Sequence, residues 1–176
     1  MKKILNIPSQ AGFCKNCFRL RREGSAYCGK CSGELFNKEI FYQDNQKNFP
    51  LLKEVKEIFP IAENTILTYG DTIYYDTELP YHLVAHELTH CFQQQTGAEE
   101  WWEKYLKDPE FRLKQETEAY HNQYECVKKI DLKKAEDLLI LIAGDLSGKL
   151  YGNIADFEEA KNLIKTNGQK NTKEKK

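Results

Sequence analysis

His86-Glu87-Leu88-Thr89-His90 sets two histidines four residues apart, with a glutamate directly after the first. On an α-helix that spacing puts both imidazoles on one face, within reach of a single ion, and holds the carboxylate beside them. The flanking residues support a helix. Across residues 81–95, Leu83, Val84, Leu88 and Cys91 form an apolar surface, while His82, His86 and His90 recur at every fourth position on another. A chance occurrence of the pattern would sit in a solvated helix with polar residues all round. An apolar back and a histidine face instead read as a partly buried metal site. His86 and His90 are its candidate ligands, and Glu87 is the candidate general base toward a water at the metal.

A catalytic zinc site takes three protein ligands and keeps one position open, so a third ligand is needed. The next helical segment, residues 111–127, carries two carboxylates, Glu116 and Glu118, and a histidine, His121. Between His90 and this segment the chain can end one helix, turn near Gly97 and run a second helix back alongside. Packed helices lie about 8–10 Å apart, so a carboxylate on one can reach a metal on the other. The residues leave Glu116 and Glu118 both open as that ligand, and His121 reads as a surface or outer group.

His-Glu-Leu-Thr-His followed by Glu116-Thr-Glu-Ala119 resembles the gluzincin group of zinc metallopeptidases, whose second helix carries an E-x-x-A pattern. The resemblance implies Glu116 as third ligand and a zinc-dependent peptidase activity. It also implies an acidic or amide group four residues after Glu116, steadying a ligand histidine; Tyr120 stands there instead. The run from His86 to Gln123 is also similar to small uncharacterised metallopeptidase-like proteins of bacteria and their phages. The residues in common are the glutamines after His90, Trp101-Trp102, Asp108-Pro-Glu-Phe-Arg112 and Gln115-Glu-Thr-Glu-Ala-Tyr120. That likeness covers about a quarter of the chain and implies a zincin domain without a substrate.

The residues before the motif predict the rest of a minimal core. Leu51-Leu-Lys-Glu-Val-Lys-Glu-Ile-Phe59 has helical spacing and stops at Pro60. Residues 65–69 and 72–75 are β-branched and aromatic runs around Gly70-Asp71, a hairpin signal. The fold class is therefore α+β: helix, β-hairpin, HExxH helix and ligand helix, with further helices at about 132–146 and 154–165. By analogy with zincins, an edge of the hairpin would pair with an extended peptide substrate. Trp101 and Trp102 each read as core residues, although such pairs usually split between the core and a partly exposed position and one could line a substrate groove.

Cys14-Lys-Asn-Cys17 and Cys28-Gly-Lys-Cys31 are two CxxC knuckles ten residues apart. Two such knuckles complete a closed tetrahedral site, so these four cysteines predict a structural zinc in a small ribbon spanning residues 1–35. A redox pair or disulfides would be the other uses. The opening Met1-Lys-Lys-Ile-Leu-Asn-Ile-Pro8 has too short an apolar run for a signal peptide, which points to a cytoplasmic protein with reduced thiols. Lys15, Arg19, Arg21, Arg22 and Lys30, interleaved with Phe13, Phe18 and Tyr27, would let the ribbon contact nucleic acid or a protein. The plainer reading is that the aromatics cover the ribbon's small core.

Composition narrows the classes further. The chain has 176 residues, 40% hydrophobic and 30% charged, with net charge −1. That suits one ordinary domain plus a small module, and argues against a general nucleic-acid coating protein. No apolar run approaches the ~20 residues of a membrane span. Residues 36–49 read as a linker, 50–166 as the metallopeptidase-like domain, and 167–176 as a disordered lysine-rich tail. A protein or peptide substrate follows from the peptidase reading. The rival reading is a non-catalytic module that keeps the fold and zinc as structure and binds a protein or nucleic-acid partner.

Overall fold

The computed structural model describes residues 2–4 and 42–168. Cys14, Cys17, Cys28 and Cys31 lie outside the described residues, and with them all of the expected ribbon except residues 2–4, part of the linker and most of the tail.

Within the described residues the chain is α+β. Four short strands form one sheet in the order β1 (Lys3–Ile4), β2 (Tyr42–Asp44), β4 (Thr72–Tyr74), β3 (Leu67–Tyr69). The expected hairpin is present: β3 and β4 are antiparallel, with Tyr69 opposite Thr72 across Gly70-Asp71. Gly70 takes φ +60°, a left-handed conformation that glycine adopts without a Cβ clash. β2 runs parallel to β4, and β1 pairs antiparallel with β2.

β2 lies where a linker was expected. Of residues 36–49, Tyr42–Asp44 is an inner strand and Gln46–Asn48 a 3-10 turn. The Asn and Gln cluster that suggested irregular chain has specific partners. Asn45 accepts from the backbone N–H of Lys47, and the buried Gln46 amide donates to the carbonyls of Ala62 and Thr65 at 2.9 and 2.7 Å.

Among the described residues six helices follow. α1 (Leu52–Ile58) stops before Pro60; α2 (Tyr81–Gln93) carries the HExxH motif; α3 (Ala98–Lys107) holds both tryptophans. α4 (Pro109–Lys128) is followed by α5 (Leu132–Leu146) and α6 (Phe157–Thr166). Asp108 starts α4 sharply, its carboxylate accepting from the N–H groups of Glu110 and Phe111 at 3.0 Å with Pro109 in the first turn. Gly97, at φ +153°, makes the bend between α2 and α3. Among the described residues no helix is long and apolar enough to cross a membrane.

α4 is the spine. It packs along α2 on one side and against α5 and α6 on the other, where Leu139, Ile142, Leu146 and Ile164 are buried. Ile140 and Leu141, in the same greasy run of α5, are more than half exposed, because a helix buries only one face of its turn. Between hairpin and α2, Ile73, Val84, Leu88, Cys91 and Cys126 form a second cluster. A third is aromatic: Phe49, Phe59, Trp101, Trp102 and Tyr105. Here both tryptophans are buried, at 7% and 5% exposure, as the core reading of each expects, without the split usual for such pairs. Each indole N–H has an acceptor, Gln115 Oε1 for Trp101 and the Thr68 carbonyl for Trp102.

Candidate metal centre

α2 and α4 bring His86, His90 and Glu116 together, all buried. The two Nε2 atoms lie 3.2 Å apart; His86 Nε2 is 3.5 Å from Glu116 Oε2, and His90 Nε2 is 3.4 Å from Glu116 Oε1. A tetrahedral centre with ligands at about 2.1 Å has ligand–ligand edges of about 3.4 Å. The donors therefore already stand at the spacing one ion requires. Glu116 Oε1 accepts from the Tyr105 hydroxyl at 2.7 Å, whereas Oε2 is buried and accepts no hydrogen bond. Leaving a buried carboxylate oxygen unmatched is unfavourable, and a cation at this point would satisfy it. The residues fit a metal ion.

Side chains behind the histidines set their tautomers. His90 Nδ1 meets Gln93 Oε1 at 2.8 Å, and the Gln93 amide nitrogen faces two acceptors, the Gln115 carbonyl and Glu118 Oε2, each at 3.0 Å. That amide can be placed only one way, so His90 donates from Nδ1. His86 Nδ1 meets Gln123 Oε1 at 3.0 Å, and Gln123 Nε2 continues to His82 Nδ1 at 3.2 Å. Both Nε2 atoms are thus oriented toward the shared point. Gln123→Ala is expected to weaken divalent-metal affinity about 10–100-fold, read by competition with a chromogenic chelator; unchanged affinity would remove its assigned role.

These partners differ from the sequence expectations. The steadying group sought at position 120 is found at Gln123, seven residues after Glu116 and on the same face of α4. Tyr120 packs edge-on to His86 at 4.5 Å between ring centroids, and its hydroxyl pairs with that of Tyr151 at 2.9 Å. Glu118 holds Gln93 and is not among the three clustered donors. His121 shares a hydrogen bond with the Ile164 carbonyl, on the α6 side of α4. Tyr105 was overlooked in the sequence, as was Thr68, whose hydroxyl donates to Glu87 Oε2 at 2.7 Å.

Charge couples the triad. Burial pushes His90 down, but the carboxylate of Glu116 more than offsets this and raises it to about 9. Burial opposes ionisation of Glu116 as well, yet the two histidines hold it well below the usual carboxylate range. In the metal-free protein His90 is therefore protonated at neutral pH. The pair's stabilisation through His90 is complete below pH 6.5 and fades as pH rises through about 9; that through Glu116 is present above pH 4.5 and is lost on acidification. A metal must displace the His90 proton. Apparent metal affinity is thus expected to climb about tenfold per pH unit up to about pH 9 and then level. An affinity independent of pH from 6 to 8 would contradict the coupling.

The triad and Glu87 open on a small cleft of about 70 Å³. Arg112 shapes its rim: buried, it donates to the carbonyls of Tyr105 (2.6 Å) and Tyr151 (3.1 Å), tying the 3-10 turn Lys149–Tyr151 to the end of α3. The hairpin edge is less available than expected. β4 is paired on both sides, leaving β3 as the outer strand. Its outward-facing carbonyl at Thr68 already accepts from Trp102 Nε1 and Gln94 Nε2, each at 3.0 Å.

Comparisons with protein-family models, with curated proteins and with solved structures found no match. The functional reading stands on this chain's own residues.

Proposed function

We propose that this chain is a zinc-dependent peptide hydrolase on a minimal zincin core, made of α1, the β3–β4 hairpin, α2 and α4. The observation that carries this reading is the buried Glu116 carboxylate, its Oε2 unmatched, beside two imidazoles whose Nε2 atoms lie 3.5 and 3.4 Å from its two oxygens. His86, His90 and Glu116 would hold the zinc. Among the described residues no further His, Cys, Asp or Glu joins that cluster, which leaves room for substrate. A bound zinc supplies a Lewis acid that lowers the pKa of water and polarises a carbonyl.

Glu87 does the proton transfer. It is 5% exposed, lines the cleft, and has Oε2 fixed by the Thr68 hydroxyl, so Oε1 is free to act as base. A water gives its proton to Glu87 as its oxygen bonds to the peptide carbonyl carbon. Glu87 then returns that proton to the amide nitrogen as the C–N bond breaks. The substrate would be an intracellular protein or peptide.

The test measures zinc per chain and cleavage of a peptide library by wild-type and Glu87→Gln protein. Zinc-dependent cleavage lost in the variant supports the reading. Zinc bound at the triad with no peptide cleaved would favour the non-catalytic, partner-binding alternative. A second, structural zinc at Cys14, Cys17, Cys28 and Cys31 would appear in the same metal analysis as a zinc that survives loss of the triad.

A further inference from the structure

Resting on the metal-centre reading above, we infer that His82, which that reading does not use, is a positioning residue. Its Nδ1 fixes the Gln123 amide, and through that amide it decides which nitrogen of His86 faces the metal. The polarity of the hydrogen bonds across the centre carries this. His90 donates from Nδ1 to Gln93 and, being protonated, from Nε2 to His86 Nε2 at 3.2 Å. His86 Nε2 thus accepts, so the His86 proton sits on Nδ1 and is given to Gln123 Oε1 at 3.0 Å. Gln123 then turns its Nε2 toward His82, whose Nδ1 has to accept at 3.2 Å. A metal needs the same order: both Nδ1 atoms donating outward and both Nε2 atoms free to ligate.

The two ends of this chain are anchored differently. At the His90 end, the Gln93 amide nitrogen meets a backbone carbonyl and a carboxylate, groups that accept whatever their surroundings. At the His86 end, the Gln123 amide nitrogen has an imidazole as its acceptor, and a ring nitrogen can accept or donate. His82 is therefore the member whose tautomer sets the direction. Gln123 is 2% exposed, so its amide cannot turn to water instead. Turned the other way, it would set its N–H groups against His86 Nδ1–H, or drive the His86 proton onto Nε2, where it would block the metal. His82 suits the task. It is half-buried, one helical turn before His86, and Tyr81 packs edge-on against its ring with centroids 5.7 Å apart. Burial pushes it below the ordinary imidazole value, which favours the neutral ring that an accepting Nδ1 requires.

The test compares His82→Asn with His82→Leu. Asn can set an acceptor oxygen at the δ position that Nδ1 occupies, whereas Leu has the same branching and no acceptor. Zinc affinity, read by chelator competition, is expected to fall about three- to tenfold in His82→Leu, less than in Gln123→Ala, and to stay within about twofold of wild type in His82→Asn. A second readout needs no metal. Proton–nitrogen correlation spectra of the zinc-free protein report the tautomers of the chain's four histidines. His86 should carry its proton on Nδ1 in wild type and His82→Asn, and should become a mixture in His82→Leu. Equal losses in the two variants, as a packing role predicts, would overturn the inference. So would an undiminished affinity in His82→Leu, or a wild-type His86 with its proton on Nε2. Wild type that shows the expected tautomers but binds no zinc would overturn the metal-centre reading and leave the link from His82 to His86 standing. Zinc bound with no peptide cleaved would overturn the peptidase reading alone.

Discussion

Glu87→Gln protein is expected to bind zinc as wild type does and to cleave peptides about 10²–10⁴-fold more slowly, the range a positioned general base contributes. The substitution is nearly isosteric, and the amide oxygen it introduces can still accept from the Thr68 hydroxyl, so the contact between β3 and α2 is kept. What is lost is the capacity to take a proton. Glu87 is not one of the three clustered donors, which separates its effect from metal loss. The loss should therefore fall on kcat, with KM little changed. Activity equal to wild type at equal zinc content would end the assignment of Glu87 as base.

Glu116→Gln should lose more zinc affinity than the about 10–100-fold expected for an outer partner such as Gln123. It removes the anionic donor whose Oε2 is unmatched, while Tyr105 can still donate to the amide oxygen. The metal-free variant should remain folded. With the Glu116 charge gone, burial lets His90 shed its proton, so no isolated buried charge is left. The clearest readout is thermal: added zinc should raise the Tm of wild type and leave that of Glu116→Gln nearly unmoved. Glu118→Gln is the matched control. That residue supports His90 only through Gln93, so its variant should keep most of the zinc-induced shift. The reverse order would transfer the ligand role to Glu118.

Several parts of this molecule were legible in the residues alone because they depend on neighbours in sequence. α2 follows from the spacing of its histidines and its apolar back, the β3–β4 hairpin from Gly70-Asp71 between β-branched runs, and α4 from the helical segment at 111–127, which starts two residues earlier at Pro109. The second helix offered Glu116 and Glu118 alike, and the E-x-x-A resemblance singled out Glu116. Periodicity was less informative at α5, where a continuous apolar run proved to be half buried and half exposed. It was silent on β2, since three residues carry too little pattern to announce a strand that pairs in parallel with one 30 positions away.

The spacing of His86 and His90, with Glu87 between them on one helix, was thus determined by the sequence, because a helix converts four residues of separation into a shared face. Only the tertiary structure decided which groups hold those imidazoles, which oxygen of Glu116 is left unmatched, and which wall faces Glu87. Gln123, Tyr105 and Thr68 belong to three different elements. Their side chains come to the site through the packing of α4 on α2, of α3 against α4 and of β3 beside α2, and such long-range packing leaves no fixed interval along the chain to read.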